Sequence, residues 1–320
     1  MKINRVLCLC IFLCLVFNYS VIYSQITGIK VLKNNIILKY NSTIYALAKD
    51  QITLKVDAPD FQKVSWYTIS PIQKQYEIYN LKKGKHEPID IEYQINEIKN
   101  FRGKAELVLN ADHNGLQLGT VFYTALNDKE IECYRNKPII SKGYPELKSG
   151  ISVIELVVRK DDTYIGYLTE LYNVPFGLMP LRVNDKHQTD MCVLTDCAEF
   201  AIYGKRRQGF KIGYSGPARI EKYLNKTHSG VLIPIMVDGQ VVYCNKETNM
   251  PFSLSKNGIK PGDIIHFGDQ VAVFVEDRGV KGILDPDDLM FYSFNKPPRI
   301  LAIKDSEFKN RPLKIYQWKY

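Results

Sequence analysis

In Thr195-Asp196-Cys197-Ala198-Glu199-Phe200 a cysteine stands where a loop turns into a helix. A helix N-terminus presents unpaired backbone N–H groups and the positive end of the helix dipole, both of which lower a thiol pKa and favour the nucleophilic thiolate. Cys197 is therefore the candidate nucleophile, expected to be partly accessible in the first helical turn, with Thr195 and Asp196 as cap candidates. Such a thiol needs a base, and two histidines compete for that role. His187 lies ten residues earlier, in His187-Gln188-Thr189-Asp190, where Asp190 could orient it. His266 lies in a later apolar run. For both, the plainer alternative is a loop histidine and a satisfied strand histidine.

Other cysteine chemistry is weaker. Cys133, Cys192, Cys197 and Cys244 remain beyond the N-terminal segment, too few for a disulfide-built fold, and four cysteines allow three pairings. A Cys192–Cys197 bridge would remove the nucleophile. His187, Asp190 and Cys192 invite a metal reading, but the paired C-x-x-C spacing of structural zinc is missing, so metal ranks below a thiol site. No cofactor is expected.

The elements that must position these residues fall into two halves. The chain has 320 residues, 45% hydrophobic and 12% aromatic, enough for two cores. From Ile26 to about Tyr134, short β-branched and aromatic runs such as Ile29-Lys30-Val31-Leu32, Ile36 to Tyr40, Ile52 to Val56 and Ala105 to Leu109 alternate with turn formers. Period-two alternation at that spacing predicts a β-sandwich of immunoglobulin-like size. His86 and His113 read there as solvated loop residues, and Asn41 and Asn225 head glycosylation sequons.

Residues 136–150 hold Pro138, Gly143, Pro145 and Gly150 and read as a linker. A second domain, residues 151–320, is then expected to open with a strand from Ile151 to Val158. A helix follows with Tyr164, Tyr167, Leu168 and Leu171 on one face, ended by Pro175. The helix from Ala198 to Gln208 stops at Gly209, with Lys205-Arg206-Arg207 complementing the negative end of its dipole. Ile264-Ile265-His266-Phe267, Gly268-Asp269 and Gln270 to Val275 predict a hairpin, and Leu289 to Tyr292 a further strand. Asp285-Pro286-Asp287-Asp288 lacks the alternation of a calcium loop and reads as a polar turn.

The first 24 residues differ in kind. Lys2 and Arg5 precede an apolar run from Val6 to Phe17, then small or polar residues to Tyr23-Ser24-Gln25. That layout predicts a secretory signal cleaved near Ser24, with a secreted or periplasmic product and no stable membrane span after cleavage. None of Cys8, Cys10 and Cys14 has the small preceding residue of a lipoprotein site. Losing Lys2 and Arg5 lowers the formal charge from +9 to +7. A basic protein suits an anionic envelope surface, while the lack of a dense Lys/Arg block argues against nucleic acid.

From Ile151 to the C-terminus the pattern resembles the NlpC-type papain-like cysteine hydrolases, which cut cell-wall peptides. The residues that carry the resemblance are Val174-Pro175-Phe176, Thr195-Asp196-Cys197-Ala198 opening a helix, and Pro261-Gly262-Asp263 before a hairpin. It implies that the sandwich read from the alternation is followed by a papain-like α+β domain, with Cys197 as nucleophile. The family's base histidine falls at Gln270, its orienting polar residue at Tyr292, and its tyrosine hydroxyl at Phe176; Asp196 joins Phe176 and Tyr292 on the substrate side. The resemblance implies that Gln270 faces Cys197. A neutral glutamine holds a hydrogen bond but exchanges no proton at pH 7.

In the two-residue turn, Phe267 and Gln270 pair, so His266 is expected on the opposite face, away from Cys197. Two functions follow. One is a secreted papain-like cysteine hydrolase acting on a peptide or amide bond of the cell envelope. The other is a non-catalytic binding or scaffolding module with glutamine in place of the base, whose partner is an envelope peptide or protein.

Overall fold

Two sheets face each other across the core of the N-terminal half. The computed structural model describes residues 28–38, 43–57, 63–74, 76, 87–110, 116–148, 150–226 and 230–320. The leader-like residues 1–24, Asn41, His86 and His113 lie outside them, as does part of the Asn225 sequon.

Strands β1 (Ile29–Lys33), β2 (Ile36–Ile37), β4 (Ile52–Val56) and β7 (Glu106–Leu109) form one antiparallel sheet in the order β2-β1-β4-β7. The facing sheet contains β3 (Thr43–Leu47), β5 (Val64–Pro71), β6 (Ile91–Glu97), β8 (Gly119–Asn127), β9 (Ile139–Ser141) and β10 (Ile154–Arg159), ordered β3-β10-β8-β5-β6-β9. Alternation sends Val31, Leu54 and Leu107 from one side, and Ile44, Trp66 and Leu156 from the other, into a shared core. Helix α1 (Asp128–Glu132) follows β8 behind an Asn127–Glu130 capping box.

The expected division of the chain is corrected at its middle. Within the expected linker, β9 pairs with β6. The strand expected to open the second domain instead lies between β3, to which it runs parallel, and β8. Ile154, Leu156 and Val158 enter the sandwich core, while Val157, on the other face, enters the core around the helices. The two halves therefore share a strand. They also share a second core, where Ile69, Tyr93 and Phe122 meet Met191, Val193 and Leu194.

Helix α2 (Tyr164–Leu168) is capped by Thr163, whose hydroxyl accepts the Gly166 N–H, and passes into a 3₁₀ turn at Thr169–Leu171. Asn173, at φ +69°, turns the chain away before Pro175. A short ribbon, β11 (Arg182–Val183) and β12 (Lys186–His187), precedes helix α3 (Cys197–Arg207). Helix α2 crosses α3 at Gly204, where an added Cβ would lie 2.6 Å from the Tyr164 ring. Only glycine admits that approach.

After α4 (Pro217–Ile220), the strands β13 (Leu224–Lys226), β16 (Ile264–His266), β17 (Val271–Glu276), β18 (Leu289–Tyr292), β19 (Arg299–Ala302) and β20 (Lys314–Trp318) form an antiparallel sheet, ordered β13-β20-β16-β17-β18-β19. A separate hairpin joins β14 (Leu232–Val237) to β15 (Gln240–Asn245). Both faces of the six-stranded sheet are covered: Val271, Val273 and Phe291 pack with α3, and Ala272, Phe274 and Tyr292 with Phe267 and Phe308. The chain is a mixed α+β protein, mostly sheet with few helices.

Candidate functional site

Asp196 caps α3, its carboxylate accepting the Glu199 N–H at 2.8 Å, and Cys197 is the first helical residue. The local sequence folds as the cap and the Gly209 stop require, with Gly209 at φ +93°. The expected accessibility is corrected. Cys197 is 3% exposed and belongs to the core that holds Ala198, Val271 and Phe291. Burial pushes its thiol well above the ordinary value, and neighbouring Asp196 adds to that. The N–H groups of Val271, Ala198 and Cys197 pull the other way and are outweighed. Burial thus defeats the activation expected of a helix end.

Neither candidate imidazole reaches the thiol. In His266, Nδ1 accepts the Gly268 N–H at 3.0 Å, so Nε2 carries the hydrogen and donates to Pro217 O at 3.1 Å. In His187, Nδ1 accepts the Thr189 N–H at 3.3 Å, and the ring stacks on Tyr214 with centroids 4.2 Å apart. Its Nε2 lies 3.7 Å from Glu199 Oε1, and burial lowers its pKa to about 4. Both rings have other partners, and Asp190, expected to orient His187, binds Arg206 and Tyr214 instead.

The hairpin forms with the expected turn, the Phe267 N–H donating to Gln270 O at 2.8 Å. His266 and Gln270 do lie on opposite faces, but their sides are the reverse of those expected. His266 pairs with Val271 and lies edge-on to Tyr316, on the helix side. Alternation puts Gln270 with Ala272 and Phe274 on the far side, where its Nε2 donates to Ser293 O at 3.0 Å. Tyr292, fully buried on that side, donates to Glu307 Oε2 at 2.8 Å. Phe176 is 1% exposed and lies edge-on to Phe294, 5.6 Å away. The hydrogen bonds of Gln270 and Tyr292 thus run to Ser293 and Glu307, while the Cys197 thiol is near enough to Tyr292 to add to its raised pKa.

Gln270→His is therefore expected to leave the reactivity of Cys197 unchanged. Losing the buried bond to Ser293 should cost about 1–3 kcal/mol of stability. Alkylation rates and urea unfolding of the variant beside wild type check both. A gain in thiol reactivity would overturn the face assignment.

The polar groups converge elsewhere, on the outer side of α3. A cavity of about 610 Å³ is lined by Asp196, Glu199 and Arg206 of that side, by His187 and Tyr214, and by the segments around Met179 and Pro217. Asp196 accepts N–H groups from Glu199, Met179 and Ala198, yet burial raises its pKa to about 6. Glu199 accepts the Thr189 hydroxyl at 3.0 Å; burial, then the charge of Asp196, hold its carboxyl well above the usual range. Asp190 accepts from Arg206 at 2.9 and 3.2 Å and from Tyr214 at 2.6 Å, which cancels its charge. The wall thus combines an imidazole that is neutral at pH 7, the buried carboxyl groups of Asp196 and Glu199, and the Asp190–Arg206 ion pair.

The Asp196-x-x-Glu199 spacing was the available signal for this site, because it puts two carboxyls on the first helical turn. Its partners Tyr214 and Ser215 had none. The Arg206 and Arg207 side chains do more than complement the dipole, each holding a buried or half-buried carboxylate. The cysteines Cys133, Cys192, Cys197 and Cys244 are free thiols. Among the described residues no His, Cys, Asp and Glu group has the arrangement of a metal site. Compared with protein-family models, curated proteins and solved structures, the chain matches none.

Proposed function

We propose that this chain is an exported, non-catalytic binding or scaffolding module, in which a cysteine-hydrolase-like half has kept the nucleophile position without its base. One observation carries the reading: Cys197 is buried, and both nearby imidazoles have their ring nitrogens engaged elsewhere. Acyl transfer by a thiol requires a thiolate open to substrate and an acid for the leaving group. Neither requirement is met at Cys197.

The finer fold reading is an immunoglobulin-like sandwich joined to an NlpC-like half. Supporting the first is a strand order in which β1 and β3 serve different sheets and β3 runs parallel to the last strand, β10. Supporting the second is a helix that opens on a cysteine and packs against an antiparallel sheet, with Pro261-Gly262-Asp263 leading into its central hairpin. Export rests on the leader-like N-terminal segment, and no helix among the described residues is long and apolar enough to cross a membrane. The basic charge suits a peptide or protein partner in an anionic envelope.

Iodoacetamide labelling of the folded protein from pH 6 to 9, read by peptide mass spectrometry, tests the reading. Exposed Cys133, whose sulfur lies 2.9 Å from Lys148 Nζ, is the internal control and should label. Cys197 should label only after denaturation. Labelling of native Cys197 at the rate of Cys133, lost on His187→Ala or His266→Ala and accompanied by cleavage of cell-wall peptide fragments, would establish the hydrolase instead.

A further inference from the structure

Resting on the binding-module reading, we propose that the cavity on the outer side of α3 is the binding site of this protein, and that its ligand is a short apolar peptide ending in a free carboxylate. Its volume, about 610 Å³, is that of a small-molecule or peptide-end pocket. Its charges are arranged by depth. Arg206 is committed to Asp190, whereas Arg182 and Arg219, both exposed, have no carboxylate partner among the described residues. Two uncommitted guanidinium groups thus line the cavity from exposed positions and favour one anionic group there.

Deeper in, the groups suit an amide. The Ser215 Oγ is buried with no hydrogen-bond partner, although Ser215 lines the cavity. A buried hydroxyl of that kind is satisfied by a ligand's C=O or N–H. The Glu199 carboxyl lines the cavity as a further polar group, and the stacked His187–Tyr214 pair gives a flat wall. Met179, about half exposed, supplies an apolar lip. Its backbone is held at φ +55°, a conformation unfavourable for a methionine, by the N–H bond to Asp196.

The carboxylate of Asp196, ionised at pH 7, opposes a dianion drawn inside. That favours a singly charged carboxylate held at the mouth, with the peptide body inward, over phosphate.

Titration calorimetry of the mature protein with N-acetyl-leucyl-alanine, its C-terminal amide and inorganic phosphate tests this. The acid should bind, and the amide should bind about tenfold more weakly. Arg182→Gln and Arg219→Gln should each weaken the acid severalfold and leave the amide unaffected. Ala218→Trp, a surface change that fills the mouth, should abolish binding of both. Equal binding of acid and amide, or acid binding that Ala218→Trp leaves intact, would overturn the site. Phosphate binding as tightly as the acid and displacing it would overturn the ligand class. Failure of the acid to bind while native Cys197 stays unlabelled sinks this site and leaves the module reading standing. Cleavage of peptides with Cys197 labelled sinks the module reading instead.

Discussion

Glu170→Gln is expected to destabilise the protein by about 2–4 kcal/mol, seen as a lower urea midpoint with an unchanged slope. Glu170 is fully buried. It accepts from Arg207 Nε at 2.7 Å and Nη2 at 3.0 Å, from Arg159 Nη1 at 3.4 Å, and from the Tyr203 hydroxyl, which in turn lies 3.3 Å from the Cys192 sulfur. Neutralising the carboxylate leaves two guanidinium groups facing a centre without countercharge. Breaking a buried pair from one side commonly costs about 3–5 kcal/mol, and the partial exposure of both arginines relieves some of that. Arg159 keeps Asp162 at 2.7 Å, so the loss falls mainly on Arg207. The backbone O of Glu170 also accepts the Thr120 hydroxyl of β8, at 2.9 Å, which places this network on the junction of the two halves. A change below about 1 kcal/mol would mean that the pairing only offsets its own desolvation.

The second large effect is a pH dependence. Glu155 stands on β10 facing away from the sandwich core, 3% exposed, with Thr43 of β3 donating to Oε2 and Oε1 without a partner. Burial raises its pKa from 4.5 to about 8, against the pull of the Thr43 and Tyr144 hydroxyls and of Lys186. The folded protein therefore holds a proton that the unfolded chain has released, and stability must fall as pH rises between those values. The contribution is complete below about pH 4.5, is lost progressively on the way to pH 8, and is level above it. That window corresponds to roughly 4–5 kcal/mol. Glu155→Gln, which keeps the neutral shape at every pH, should match wild type near pH 4.5, exceed it at pH 8.5, and flatten the profile between. Parallel profiles for the two proteins would show that Glu155 ionises freely in the folded state.

Much of the framework was legible because its signals are local. The Asp196 cap and the Gly209 stop bound α3 within one residue of expectation, since a cap needs a particular side chain and a left-handed stop needs glycine. The strand from Leu289 to Tyr292 and the two-residue turn at Gly268-Asp269 were equally plain. Alternation likewise put His266 and Gln270 on opposite faces.

Only the tertiary structure decided which of those faces meets α3. Both faces of that sheet are covered by apolar clusters, so Val271 and Ala272 are equally hydrophobic and no polar side marks the exterior. The same reason hid the place of β10: a strand buried on both faces reads as one continuous apolar run and carries no mark of the sheet it joins. The fate of Cys197 was set in the same way. A helix end lowers a thiol pKa through the adjacent backbone, but the burial that raises it comes from Val271, Val273 and Phe291, more than seventy positions along the chain.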